Sequence, residues 1–600
     1  MGLRKVFVSC VAVALTISVG ISPFESTAGA ATSNSEELLV GISRLDITPP
    51  VNPDYPPLNE YEHEKLYVRA IVFENNGTRG ALIGADISGI DEPVWADAST
   101  RIAAELDTPL ENIIISPTHI HSDRPAGPPP PSGTPRYGTD FIADVLLDAV
   151  KEAASEMEPA LVGYSTGTAD LNVNRDTINP ETHRWTQAAN LDAPSDKTVA
   201  VLSFVRPNGK PIAAYVNYAM HPVNGYLSGV VSGDFASATS RYVEQAFGDD
   251  MITVFTQGAS GDQNPRWLRT GTNALASKSG VEINGYELVR EDVEAPLRNN
   301  EVPHGDLDPE IAKQLADYME ALGIILGEEV IRVMTHTEEF DASPVIRGLQ
   351  ETLTFPGRKR LDNAREGVAG VYEDGDDVDV RIGVLGIGDI ALATVNAEVY
   401  TKIGLRVKEE SPMTKTMFVT IANGKAASGY IPDNESFGHQ TFQVLGSRLQ
   451  PGYAEDRIVD GIADLASEYM ALSSAKALSS VNAKNAAKVL FDGEDLSSDS
   501  KVYKTNGVTM IPFRPIFTKL GMSVEWDNVE KSVTAQKDGL TLKLTMDSTT
   551  AYVNGEAVQL TEPPFLADGT LIVGIRFVSE SAGAKVSWDQ KTQTVTINSK

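Results

Sequence analysis

Cysteine, positive charge and long apolar runs are all scarce in this sequence of 600 residues. The single cysteine, Cys10, lies in the N-terminal apolar run, so disulfide scaffolds, cysteine nucleophiles and cysteine zinc sites are excluded from the remainder of the chain. Any bound metal must therefore take histidine, aspartate, glutamate or tyrosine as ligands. The net charge of -32 argues against nucleic acid or an anionic membrane surface as a partner.

The N-terminus has the pattern of a secretory signal peptide. Arg4 and Lys5 precede an apolar run over residues 6–21, and small residues follow at positions 28–30. The apolar run is shorter than a typical membrane-spanning helix requires. We therefore predict that residues 1–30 are a signal peptide and that the protein is secreted or held at the cell surface.

The length predicts two or more domains. Residues 38–472 are expected to form an α/β (α+β) layered sandwich with mixed sheets, followed by a linker or terminal helix over 473–488. Residues 489–600 are expected to form a small α+β repeat module without a catalytic role, because they contain no cluster of histidines or acids. A constant offset of 62 positions relates its two copies through the pairs Arg514 and Arg576, Trp526 and Trp588, and Val533 and Val595.

The stretch 113–128 concentrates the chemistry of the chain. An apolar run that is typical of a buried strand ends at Ser116-Pro117, and His119 and His121 follow at once, two of only eight histidines. If the backbone stays extended, the two side chains lie on the same side, so that one imidazole can bind a metal while the other reaches a substrate. The alternative is a surface loop with two incidental histidines.

Four polar segments each follow directly after a predicted apolar strand, and they contain His119, His221, the loop 258–265 and Glu398. Functional groups of open α/β sheets gather beyond the carboxyl ends of strands, so these segments are expected to converge. Taken singly, His221 has the alternative of a core histidine and Glu398 that of an acid at a helix N-terminus. Taken together, the two histidines and the glutamate predict a hydrolytic zinc site, in which the ion lowers the pKa of a water to about 7.

Two further residues are candidates for roles beside the metal. His121 could shuttle a proton or hold the developing oxyanion. Arg175, which lies in the loop 172–179, could orient a polar group of the substrate.

Residues 39–468 resemble the neutral (non-lysosomal) ceramidases through a set of motifs in a fixed order. The motifs are Val40-Gly41-Ile42-Ser43 with Asp46-Ile47-Thr48-Pro49, Thr118-His119-Ile120-His121-Ser122, Asn174-Arg175, Gly261-Asp262, Asn396-Ala397-Glu398 and Gly429-Tyr430. The resemblance implies four zinc ligands, which are His119, His221, Glu398 and Tyr430. It also implies that His121 and Arg175 contact the substrate.

The sequence departs from the family at positions that concern the substrate. The family loop Gly-Asp-x-Ser-Pro-Asn is here Gly261-Asp262-Gln263-Asn264-Pro265-Arg266, so Asn264 replaces a serine that is essential for ceramide hydrolysis. An amide cannot act as a hydroxyl nucleophile, although it can donate to an oxyanion. Phe442 stands where the family has a second tyrosine, and Asp123-Arg124 stand where it has Gly-Pro. We expect Asn264 to act in catalysis, and Gly261, Asp262 and Phe442 to contact a substrate that need not be ceramide.

The leading hypothesis is an exported Zn(2+)-dependent hydrolase that cleaves the amide of a lipid or another small N-acyl compound. The alternatives are a related zinc hydrolase acting on an ester or a cell-wall amide, and a non-catalytic surface-binding protein with a decayed site. Residues 489–600 resemble the copper amine oxidase N-terminal-like stalk domain of exported bacterial proteins. That resemblance implies association with the cell surface or cell wall and no copper chemistry.

Overall fold

The computed structural model describes residues 37–599 except 55, 58, 125–138, 280–306, 364–365, 485–487, 497–501, 506–507, 528–529, 547, 568–569, 590–591 and 593. The chain divides into two compact units, Met1–Ser35 and Glu36–Lys600, and every described residue lies in the second. The predicted signal peptide therefore lies outside the described residues. Among the helices of the described chain, none combines the length and the apolar character needed to cross a bilayer.

Strands and helices are interspersed through the large N-terminal part. Its strands are β1 (Leu39–Asp46), β2 (Tyr67–Asn75), β3 (Thr78–Ala85), β4 (Ile113–Pro117), β5 (Glu158–Pro159), β6 (Leu161–Thr168), β7 (Asn172–Ile178), β8 (Trp185–Asn190), β9 (Thr198–Val205), β10 (Pro211–Tyr218), β11 (Ile252–Gln257), β12 (Gln263–Pro265), β13 (Phe340–Asp341), β14 (Ile346–Arg360), β15 (Tyr372–Ile387), β16 (Ile390–Val395), β17 (Glu398–Val399), β18 (Lys415–Val419) and β19 (Tyr430–Ile431). Its helices are α1 (Glu92–Leu106), α2 (Thr139–Ser155), α3 (Asp234–Ala246), α4 (Arg269–Ser279), α5 (Pro309–Thr335), α6 (Thr401–Glu410), α7 (Phe442–Gly446) and α8 (Ala454–Lys484), with short 3-10 turns at Glu60–Glu62, Leu110–Asn112 and Ser436–Gly438.

Two five-stranded sheets form the centre of this part. The first has the order β4-β3-β2-β1-β5 and the second the order β11-β10-β9-β6-β13, and each carries one parallel pair, β3 with β4 and β10 with β11. The sheets pack face to face through alternate apolar side chains such as Phe73 and Leu82 on the first and Leu202 and Tyr215 on the second. The remaining apolar positions of each sheet face the helices, which are α1 and α2 on the first sheet and α3 and α5 on the second. The predicted layered sandwich is confirmed.

A third sheet, of order β14-β15-β16-β18, lies beside the central core and packs against α6 and α8. Its long hairpin of β14 and β15 was not predicted from the sequence. The first half of β15 exposes most of its side chains, among them Glu373, Asp374, Asp376 and Asp377. The alternation of apolar and polar residues that predicts a strand is therefore absent from this stretch of the sequence.

The C-terminal module contains two copies of one unit, as predicted. The first copy contains α9 (Phe513–Lys519), β24 (Ser523–Asp527) and β25 (Ser532–Lys537), and the second contains α10 (Ile575–Ser581), β31 (Lys585–Asp589) and β32 (Thr594–Asn598). The other strands are β20 (Lys488–Phe491), β21 (Glu494–Asp495), β22 (Tyr503–Thr505), β23 (Val508–Pro512), β26 (Leu540–Thr545), β27 (Thr550–Val553), β28 (Glu556–Gln559), β29 (Phe565–Ala567) and β30 (Thr570–Gly574). Helix α8 continues to Lys484, so most of the segment 473–488 is helical, while 485–487 lie outside the described residues.

Candidate metal centre

His119 stands two residues beyond the end of β4, at a sharp change of backbone direction. Its φ angle of 64° is in the left-handed region, so the extended backbone assumed in the sequence analysis is wrong at this position. Backbone bonds fix the turn: the His119 N–H donates to the carbonyl of Ile87 at 3.1 Å. The two histidines nevertheless meet, because the Nε2 atoms of His119 and His121 are 3.4 Å apart.

Backbone carbonyls orient the rings of His119 and His221. Nδ1 of His119 donates to the carbonyl of Ser88 at 2.7 Å, and Nδ1 of His221 donates to the carbonyl of Ser260 at 2.7 Å. A proton on Nδ1 leaves the lone pair on Nε2, which is the tautomer that binds a metal. Both Nε2 atoms face the Glu398 carboxylate, which is the third predicted ligand.

Glu398 completes the set from the start of β17. Its Oε2 atom lies 2.9 Å from Nε2 of His221 and 3.4 Å from Nε2 of His119. Ligands of one tetrahedral zinc ion are about 3.3 Å from one another, since each bond is about 2.0–2.1 Å long. Glu398 therefore lies at ligand spacing from both imidazoles, and the ring nitrogens of His119 and His221 lie within 4.8 Å of one another.

The donor set fits a divalent metal ion. The side chains of His119, His121 and His221 each offer a nitrogen within 4.8 Å of the others, and His119 and His221 are buried. His121 is thus close enough to be a ligand as well as a substrate contact, which the sequence did not indicate. Tyr430 reaches the same place because β17 and β19 pair in parallel with Glu398 opposite Tyr430.

The local electrostatics favour the metal-binding protonation states of His121, His221 and Glu398 and keep the Tyr430 hydroxyl protonated. Burial lowers the pKa of His221 to about 4, and burial with the neighbouring imidazoles holds the pKa of His121 well below 6.5. Burial alone raises the pKa of Glu398, but the imidazoles of His119 and His221 outweigh it and hold this pKa well below 4.5. Burial, followed by the Glu398 carboxylate, raises the pKa of the Tyr430 hydroxyl. The centre therefore holds neutral His121 and His221 beside an ionised carboxylate.

The sequence analysis placed Arg175 in a loop, but Arg175 lies on strand β7, where it links the centre to the loop that follows β11. Its Nη1 donates to Oδ1 of Asn264 at 3.2 Å, and its Nη2 donates to the carbonyl of Gly261 at 2.5 Å and to the Tyr430 hydroxyl at 3.3 Å. Burial lowers the pKa of Arg175, yet Tyr430 and Glu398 outweigh it and raise this pKa, so the guanidinium stays charged. Its buried Nε–H has no partner among the described residues.

The loop carrying Gly261, Asp262 and Asn264 is held tightly against β7 and β17. A Cβ on Gly261 would lie 2.9 Å from the backbone of Val399, so only glycine permits this approach. Oδ1 of Asp262 accepts the Thr401 N–H at 2.9 Å and Oδ2 accepts from Asn174 at 2.7 Å. Burial raises the pKa of Asp262 to about 6. Both oxygens of this side chain are thus engaged within the protein, so the geometry favours positioning for Asp262 over substrate contact.

Phe442 lies at the outer side of the centre. Its ring packs edge-on against Tyr430 with centroids 5.6 Å apart, and it lies 5.1 Å from the guanidinium carbon of Arg175. The side chain is 40% exposed, so one edge of the ring borders solvent. The structure thereby brings every predicted site residue into one neighbourhood.

Sequence reasoning missed several supporting groups. The carbonyls of Ser88 and Ser260 have no signal in the sequence, because any residue offers a carbonyl. Oδ2 of Asp123 accepts the Ser88 N–H at 3.0 Å and so braces the residue whose carbonyl holds the His119 ring. The departure of Asp123 from the family pattern was the available signal. Asp176, next to Arg175, is buried and accepts from several groups, which are Tyr400, His439, Thr441 and Gln443.

Two family models match separate parts of the chain. Residues 39–281 match the neutral/alkaline non-lysosomal ceramidase N-terminal domain. Residues 490–597 match the copper amine oxidase N-terminal domain. The two predicted resemblances are confirmed, the ceramidase one over a shorter stretch than the motifs suggested. This stretch contains His119, His121, His221 and Arg175, whereas Glu398 and Tyr430 lie beyond it.

Curated relatives of the ceramidase-like part are more distant than the motifs alone suggest. Neutral ceramidase A of Dictyostelium discoideum is 25% identical over 227 residues, which are 34% of this chain and 31% of that protein. Neutral ceramidase of Drosophila pseudoobscura pseudoobscura is 23% identical over 280 residues, which are 42% of this chain and 38% of that protein. The matched segment thus spans about a third of the length of these relatives.

Two solved ceramidase structures are similar to this chain. A ceramidase complexed with C2 has a TM-score of 0.50 and 13% identity, covering 94% of this chain and 98% of its own. Neutral ceramidase from Pseudomonas aeruginosa has a TM-score of 0.48 and 12% identity, covering 94% of this chain and 98% of its own. At such identities the first comparison supports the ceramidase-like fold and nothing finer.

Proposed function

We propose that this protein is an exported zinc-dependent hydrolase that cleaves the amide bond of an N-acyl lipid or a related small N-acyl compound. The observation that carries the proposal is the convergence of His119, His221 and Glu398 at ligand spacing. Export is supported by the sequence pattern of residues 1–30, and association with the cell surface by the stalk-like module.

In this proposal zinc is held by His119, His221, Glu398 and Tyr430. When bound, the ion would act as a Lewis acid and lower the pKa of a water to about 7, so that hydroxide is available near neutral pH. His121, which is neutral because of its lowered pKa, accepts the proton of the attacking water and returns it to the leaving amine. Its Nε2 lies 3.4 Å from Nε2 of His119, so this base would stand beside an ion held by that ligand.

Arg175 and Asn264 orient the substrate. The unpartnered Nε–H of Arg175 would cost about 1–3 kcal/mol if it stayed unsatisfied, so a substrate oxygen is its natural acceptor. Oδ1 of Asn264 already accepts from Arg175, so the amide nitrogen is the atom of Asn264 that can donate to the developing oxyanion. Phe442 provides an apolar wall for the acyl or alkyl part of the substrate.

A substrate comparison tests this proposal. Fluorescent ceramide, a short water-soluble N-acyl amine and the matching ester are incubated with the zinc-loaded full chain and with the Glu398→Gln variant. We expect turnover of at least one amide that the variant loses. Glu339→Gln, at a carboxylate whose side chain is 80% exposed, is the matched control and should keep full activity.

The pattern of turnover separates the alternatives. Faster cleavage of the ester than of the amide would assign an esterase, which the replacement of the family serine by Asn264 leaves open. A peptidoglycan fragment included in the same comparison tests for a cell-wall amidase. Absence of turnover on every substrate at full zinc occupancy would support the non-catalytic surface-binding protein and contradict the proposal.

A further inference from the structure

Large apolar side chains are exposed around the outer side of the candidate site. They are Ile178 at 51%, Leu361 at 54%, Val368 at 37%, Val371 at 57% and Phe442 at 40% exposure, and we call this set the apolar rim. Exposed apolar patches of this kind mark surfaces that bind a partner or a membrane. The patch lies on three segments of the chain, which contact one another.

Hydrogen bonds and close contacts join the three segments. At the tip of the β14–β15 hairpin, the Leu361 N–H donates to the carbonyl of Val371 at 2.8 Å, which places these two side chains as neighbours on one face. Farther along the same tip, the Gly367 N–H donates to the carbonyl of Gln440 at 2.9 Å. A Cβ on Gly367 would lie 2.6 Å from the carbonyl oxygen of Trp185, which is the cross-strand partner of Ile178 in the β7–β8 pair.

The segments of the apolar rim contact residues that lie next to the metal centre. The ring of His439 stacks on Trp185 with centroids 3.6 Å apart, and its Nδ1 lies 3.3 Å from the buried Asp176 carboxylate. Asp176 directly follows Arg175, and Phe442 lies 5.1 Å from the Arg175 guanidinium carbon. The segments that carry the apolar rim therefore contact the residues that bind the substrate in the proposed function.

The charges on the same hairpin indicate which kind of surface the apolar rim can bind. The two cations at the end of β14 nearest the tip are paired with carboxylates, Lys359 with Glu373 and Arg360 with Asp362. Exposed carboxylates such as Asp374 follow on β15, and the whole chain carries a net charge of -32. An anionic surface would be repelled, whereas a surface without net charge would not.

We propose that the apolar rim docks onto the surface of a zwitterionic lipid bilayer or micelle, so that an amphiphilic substrate passes from the lipid to Arg175 and the metal centre. The inference rests on the proposed function for its purpose, while the docking itself is independent of catalysis. Insertion of a few aliphatic side chains at the headgroup level gives reversible binding, which suits an enzyme that must leave the surface again.

Binding to vesicles tests the docking. The full chain is floated with phosphatidylcholine vesicles, with and without added phosphatidylglycerol. The wild type is compared with the Leu361→Ser/Val371→Ser double variant and with Ile325→Ser, whose side chain on α5 is also 54% exposed. We expect the double variant to lose at least about tenfold in partition onto phosphatidylcholine, because two apolar side chains no longer leave water. Ile325→Ser should bind as the wild type does, and phosphatidylglycerol should weaken binding.

Hydrolysis separates this inference from the proposed function. The double variant should cleave a short water-soluble N-acyl substrate at the wild-type rate and a bilayer-embedded one at least about tenfold more slowly. Vesicle binding by a wild type that cleaves no substrate would contradict the function and leave the docking standing. Equal vesicle binding by the wild type and the double variant would overturn the docking. So would conversion of a wild-type dimer to a monomer by the double substitution, because the rim would then be a self-association surface.

Discussion

Replacement of Arg175 by lysine is expected to reduce both stability and catalysis. The guanidinium is 4% exposed, and its two terminal nitrogens donate to Asn264, Gly261 and Tyr430. A lysine ammonium cannot reproduce this planar fork, so at least one buried acceptor loses its donor, at a cost of about 1–3 kcal/mol in the free energy of unfolding. The contact that we propose between this Nε–H and the substrate would be worth about 1.5–3 kcal/mol, so kcat/KM should fall about tenfold to 150-fold.

The assay measures kcat/KM on the best short N-acyl substrate, zinc content and unfolding in urea. Arg69→Lys is the control, because Arg69 is 3% exposed and all its nitrogens donate to Glu244 or Asp86, away from the substrate. That variant should lose comparable stability but keep kcat/KM within about twofold. An Arg175→Lys variant with bound zinc and wild-type kcat/KM would refute the substrate role of Arg175.

Two further predictions concern groups behind the centre. Asp123→Ala removes the acceptor that holds Ser88, whose carbonyl orients the His119 ring. Zinc affinity measured by chelator competition should therefore fall about tenfold to a hundredfold. An unchanged affinity would contradict the bracing role of Asp123. Asp262 has a folded pKa of about 6 against an ordinary 3.8, so the folded state holds its proton more tightly than the unfolded state. Its stabilising contribution is complete below pH 3.8 and is lost as pH rises through 6, which amounts to about 3 kcal/mol. Asp262→Asn should lack this loss when urea unfolding is compared at about pH 4.5 and pH 7.5, and parallel profiles would refute the assignment.

The convergence of the ligands could be predicted because each one follows a strand whose apolar run is visible in the sequence. His119 follows β4, His221 follows β10 and Glu398 follows β16. These strands belong to three different sheets, so the single sheet edge on which the prediction relied is not what brings the residues together. The left-handed backbone at His119 could not be predicted, since it is imposed by the bond from its N–H to Ile87, a residue in another segment. The closeness of His121 to the other imidazoles depends on that turn.

The surroundings of the site were harder to predict than its ligands. The β14–β15 hairpin that borders Phe442 carries carboxylates where a strand usually shows apolar residues. The carbonyls of Ser88 and Ser260 act through the backbone and leave no trace in residue type. Asp176 is a buried carboxylate whose partners come from two distant segments, at Tyr400 and at 439–443, and only tertiary structure assembles them.

Metal analysis of the purified full chain tests the central claim most directly. The claim is that His119, His221 and Glu398 hold one divalent ion, so the wild type should contain about one zinc per chain and His119→Ala none. His336→Ala, at the exposed end of α5, is the matched histidine control and should keep the wild-type content. Equal zinc in wild type and His119→Ala, or no zinc in the wild type after loading, would contradict the account.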